Sequence, residues 1–104
     1  MPIKVNVPTE WSMYTPAGNK SITTKATALV KKLEMDTSFD QKIKHVKQFA
    51  CKIYEMSNTR SFGEAGDTEV RNTVSWFLHD RVGKAHDLPR DAIDRVEHEC
   101  KLFF

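Results

Sequence analysis

Apolar side chains recur at helical spacing through most of this chain, and only the opening residues alternate. Ile3, Val5 and Val7 are separated by Lys4 and Asn6, a period of two that predicts an extended segment. After Pro8, Trp11-Ser12-Met13-Tyr14-Thr15 resumes a β-prone run, and Pro16-Ala17-Gly18-Asn19 reads as a turn. A short hairpin over residues 1–19 is therefore expected, packed on whatever follows, because a lone hairpin is marginal in water.

The period then changes to that of a helix. Ile22, Ala26, Leu29, Val30 and Leu33 form one stripe, with Ser21 as N-cap. Ser38 and Gln41 make a capping box for a second helix. Phe39, Ile43, Val46, Ala50 and Ile53 share its inner face, Phe49 and Tyr54 widen that face, and Asn58 ends it. A loop with Gly63 and Gly66 precedes a third helix capped by Asp67 or Thr68. Its apolar face is Val70, Val74, Phe77, Leu78 and Ala85. The fourth starts near Pro89, carries Asp91 and Asp94 at its positive end, and buries Ile93, Val96, Cys100 and Phe103. The fold class expected is mainly α: a small four-helix bundle-like domain preceded by a short extended segment or β-hairpin.

A chain of 104 residues fits a single domain over 1–104, with residues 20–104 helical. Its charged share of 29% and hydrophobic share of 39% suit a folded globule. No apolar run approaches the roughly 20 residues of a membrane helix, and the alternating N-terminus is no secretory signal. A cytoplasmic setting and no membrane partner are the expectation. Cys51 and Cys100 belong to no CxxC pair and are expected reduced on helix faces.

Charge is divided along the chain. Residues 20–52 carry eight lysines against three acidic groups, a net of +5, whereas residues 53–104 net −3. Lys31, Lys32, Lys44, Lys47 and Lys52 are the candidate patch for an anionic partner. A second candidate surface comes from residues on the wrong side of their helices. Taking 100° per residue, Trp76 lies about 160° from the centre of the third apolar stripe. Asn72, His79 and Gly83 share that outer face. Either the opening segment covers Trp76 or another molecule does. Leu102, Phe103 and Phe104 are consecutive, so Leu102 and Phe104 cannot all share Phe103's inward direction and join the contact surface. Arg81 falls inside the third apolar stripe, where it is expected to reach outward to water.

Chemical motifs are sparse. His79-Asp80 and His86-Asp87 resemble the HD dipeptide of metal-dependent phosphohydrolases, a resemblance confined to those two pairs. No nucleophile elbow, phosphate loop or short-spaced His/Cys metal pair is present, and neither a catalytic residue nor a cofactor or metal ligand is assigned. Residues 77–96 resemble a helix-turn-helix: Gly83 stands where two helices would cross, and Leu88, Ile93 and Val96 keep its apolar spacing. Asp87 takes the place where glycine is commoner, which Asp tolerates in a left-handed conformation. The reading helix would carry Asp91, Asp94, Glu97 and Glu99 against Arg90, Arg95 and Lys101, a poor match to phosphates. The function expected is a non-enzymatic protein-binding regulator, inhibitor or adaptor of the kind phage and mobile elements encode, with self-association as an option. A nucleic-acid binder is the alternative, through residues 77–96 or the lysine-rich second helix. A metal-dependent hydrolase comes last.

Overall fold

The computed structural model of the chain describes residues 5, 7, 16–35, 38–58 and 64–103. They form α1 (Pro16–Met35), α2 (Phe39–Asn58), α3 (Glu64–Trp76), a π-helical segment π1 (Phe77–Gly83), a single turn α4 (Lys84–His86) and α5 (Arg90–Phe103). α3, π1 and α4 run on as one helical rod, so the described residues form four helices, the mainly α architecture that the periodicity predicts. Among the described residues there is no strand. Val5 and Val7 nevertheless pack partly buried against the core. The second half of the expected hairpin lies outside the described residues.

Helix starts explain most differences from the sequence reading. Pro16-Ala17-Gly18-Asn19 is not a turn but the opening of α1. Proline fits a first helical turn, where its missing N–H is no loss. α3 likewise starts at Glu64, before Asp67 and Thr68, and takes in Gly66. Ser38 immediately precedes α2, and its carbonyl accepts a hydrogen bond from the Lys42 N–H at 3.0 Å. Pro89 does the same for α5, accepting from Ala92 and Ile93 at 3.1 and 3.2 Å.

α2 is central and packs on α1, α3 and α5. Ile22, Ala26, Leu33, Val46, Ala50, Ile53, Val70, Val74, Phe77, Leu78, Val82 and Ile93 are all fully or almost fully buried. Each large side chain among them contributes roughly 1.5–3 kcal/mol relative to exposure. Phe49 meets Phe77 edge to face with ring centres 6.2 Å apart, which ties α2 to π1. Phe39 shares the periodicity of the inner face of α2 but is 48% exposed, because it is the first residue of that helix and lies beyond the core.

Cys51 and Cys100 form a disulfide between α2 and α5, with Cα atoms 4.9 Å apart. This corrects the expectation of two reduced thiols. Each cysteine belongs by its local pattern to its own helix, and what joins them is the close packing of α2 against α5.

Candidate functional site: the π-helical corner

Residues 77–83 wind as a π-helix. Its i→i+5 bonding turns the chain through fewer degrees per residue than an α-helix, so side chains after Trp76 drift away from the positions a regular wheel assigns. Trp76 and Asn72, placed before or at the change, stay outward, and Trp76 remains 42% exposed. Gly83, expected on that outer face, is buried. His79 is turned inward too, and its side chain is 17% exposed.

That rotation corrects the assignment of His79 to the Trp76 surface. Its Nε2 lies 3.0 Å from Asp94 Oδ1 and 3.8 Å from Glu97 Oε1, both on α5. Asp94 and Glu97 are one turn apart and therefore share a face of α5. Asp94 is 59% exposed, whereas the Glu97 side chain is 10% exposed. Ser75 Oγ donates to Glu97 Oε2 at 3.2 Å, but Glu97 Oε1 and His79 Nδ1 are buried without a hydrogen-bond partner. Tyr54, buried beneath, holds its phenolic proton well above the usual range. Burial is the main cause, and the charge of Glu97 adds to it against the opposing Arg71.

In the first HD dipeptide, Asp80 pairs with Lys84 at 3.2 Å while His79 meets α5. His86 is buried with both ring nitrogens lacking a hydrogen-bond partner. Burial, then the charge of Lys42, pulls its pKa below the ordinary histidine value. Sequence reading missed the group of His79, Asp94 and Glu97. Only the spacing of Asp94 to Glu97 was visible, and their meeting with His79 depends on the π turns.

On the outer side, the Arg81 guanidinium lies 5.0 Å from the centre of the Trp76 ring. Arg81 is half-buried, and its charged end meets the indole. The side chain of Leu102 and all of Phe104 lie outside the described residues.

The corner also has the turn that the helix-turn-helix resemblance anticipates. Asp87 is left-handed, with φ 55° and ψ 41°. The Leu88 N–H donates to the Gly83 carbonyl at 2.9 Å, closing a Schellman-type helix end. Ile93 approaches Gly83 so closely that a Cβ there would sit 2.9 Å from its Cδ1.

The lysine patch is divided. Lys31, Lys32, Lys44 and Lys52 are exposed. Lys47 instead bridges to Glu99 on α5 at 2.8 Å, and its hydrogen bond and charge hold the Glu99 carboxyl below its usual range. Lys52 pairs with Glu55 at 3.7 Å. Lys32 and Lys52, with Lys25 and His45, border an open hollow of about 180 Å³ between α1 and α2, whereas Lys31 borders a different one. No described helix is long and apolar enough to cross a membrane. Compared with known proteins, the chain matches no family model, no curated protein and no solved structure.

Proposed function

We propose that the chain is a protein-binding module, acting as a small regulator, inhibitor or adaptor, and that its contact face centres on Trp76. The observation that carries this reading is the indole, which stays 42% exposed on a helix whose other large apolar side chains are buried. Arg81 over the ring supports it, because tryptophan and arginine are the residue types most often found as energetic anchors of interfaces. A guanidinium held against an indole is also preorganised, so less side-chain freedom is lost on contact. Asn72 extends the face by one turn and offers a hydrogen-bonding amide. His79 is not part of it.

The cytoplasmic setting expected from the sequence is at odds with the disulfide between α2 and α5, and an oxidising compartment suits that bond better. The test is a comparison of baits. The oxidised chain retains a protein from its native host, and Trp76→Ala weakens that capture by roughly 30-fold or more, the loss typical of a hot spot. Equal capture by a folded Trp76→Ala chain removes the reading.

Binding to a nucleic-acid backbone is the second reading, favoured by the meeting of Lys25, Lys32, Lys52 and His45 around one hollow. Phosphate-driven affinity falls steeply with salt. Absence of binding to duplex DNA at low ionic strength, or binding indifferent to salt, eliminates it.

A further inference from the structure

We propose that His79, Asp94 and Glu97 form a binding site for a divalent metal ion of the zinc or manganese class. Their potential ligand atoms lie within 4.8 Å of one another. Donors about 2.1 Å from a shared ion stand roughly 3.0 Å apart in octahedral geometry and about 3.4 Å apart in tetrahedral geometry. The two separations from His79 Nε2, 3.0 and 3.8 Å, bracket those values, and the 4.8 Å limit on the group leaves the carboxylates to draw together around one ion.

The second observation is Glu97 itself. Its side chain is nine-tenths buried, and Oε1 has no hydrogen-bond partner while facing His79 Nε2. A single imidazole N–H can satisfy one carboxylate oxygen, and the nearer claim is that of Asp94. Glu97 therefore keeps a buried, under-compensated charge, an arrangement that costs stability unless a cation completes it. An ion coordinated by Nε2 and one oxygen from each carboxylate supplies that compensation. One nitrogen with two oxygens suits zinc or manganese better than copper(I), which favours sulfur, or calcium, which takes only oxygen.

Neighbouring groups fit this assignment. Ser75 donates to the other oxygen of Glu97, which orients the carboxylate as groups behind a metal ligand commonly do. An open hollow of about 320 Å³, bordered by His79, Asp80, Gly83, Lys84, Leu88 and Arg90, adjoins the His79 side of the cluster. The described chain has no free thiol, so cysteine does not compete for zinc in the oxidised protein. π-Helical turns recur at functional sites, and here those turns are what aim His79 at α5.

The test uses the oxidised full chain and zinc chloride alone, followed by calorimetry near neutral pH. Saturable binding of a single ion is expected. His79→Gln and Asp94→Asn each weaken it by about tenfold or more. Asp94 is largely exposed, so its near-isosteric amide keeps the fold even where changes at buried positions do not. In the unaltered chain, manganese(II) is expected to broaden the His79 ring resonances in NMR spectra before those of His98. The proposal is overturned by an absence of saturable binding. It is also overturned by unchanged affinity in Asp94→Asn, or by loss of binding in His98→Gln in place of His79→Gln.

Discussion

α5 meets the rest of the molecule along two seams of opposite character. Toward α2, it is joined by the Cys51–Cys100 disulfide and flanked by the Lys47–Glu99 pair. Toward α3 and π1, it presents Asp94 and Glu97 to one imidazole and leaves a buried oxygen without a hydrogen bond. The first seam completes its own chemistry. The second does not, although it lies on the same helix and within the same small core. Apolar and covalent contacts serve stability with no outside help, whereas a buried carboxylate oxygen without a hydrogen bond costs stability until something compensates it. On this reading, the π corner holds the molecule's capacity to bind, and the α2–α5 seam holds it together.

The largest predicted effect falls on the completed seam. The disulfide spans a sequence separation of 49, for which loop-closure entropy gives about 4 kcal/mol. Replacing both cysteines with alanine is expected to lower stability by about 2–4 kcal/mol, and the thermal midpoint by on the order of 10 °C or more. Calorimetric melting of the two chains measures this. A loss under about 1 kcal/mol means that helix packing alone carries the seam, and the contrast with the π corner weakens.

Gly83→Ala probes how tightly the other seam is closed. Gly83 has an ordinary helical φ of −60°, so alanine meets no backbone penalty there. It does meet Ile93 Cδ1 at 2.9 Å and the Leu78 and Leu88 carbonyls at 3.0 and 3.3 Å. The end of Ile93 can swing aside, but the two backbone oxygens cannot. Overpacking of this kind outweighs the roughly 1 kcal/mol that alanine gains in helix preference, leaving a net loss of about 1–2 kcal/mol in denaturant unfolding. A more stable variant would show that π1 yields easily and is no fixed platform for His79.

The two seams also differed in how far the sequence revealed them. Ile22, Ala26, Leu29, Val30 and Leu33 were readable as a buried stripe because α1 keeps one period throughout. The same was true of Val46, Ala50 and Ile53, and of Ile93, Val96 and Cys100. Local turn chemistry was also legible: Asp87 takes the left-handed conformation expected of it, and Gly83 is the point of close approach. The candidate metal site was not. A wheel at 100° per residue carries His79 outward with Trp76, and only a change in winding at Phe77 brings it back to α5. Nothing local in Phe77-Leu78-His79-Asp80-Arg81-Val82-Gly83 announces π turns, because they are favoured by tertiary packing rather than by intrinsic preference. The disulfide was hidden for a related reason, since pairing depends on where two helix faces meet in space.

The smallest predicted effect is the sharpest test of the contrast, because its sign matters more than its size. Glu97→Gln keeps the shape of the side chain and an oxygen that accepts from Ser75, while removing a charge that is nine-tenths buried. Where a buried ion pair is structural, deleting one partner costs about 3–5 kcal/mol. Where the charge is under-compensated, its removal is neutral or stabilising. The expectation without added metal is a change between zero and a gain of about 1 kcal/mol in denaturant unfolding near neutral pH. A loss beyond about 1 kcal/mol would make Glu97 a structural partner of His79. The π corner would then be a second self-sufficient seam, and its unmet oxygen would no longer mark a place for anything to bind.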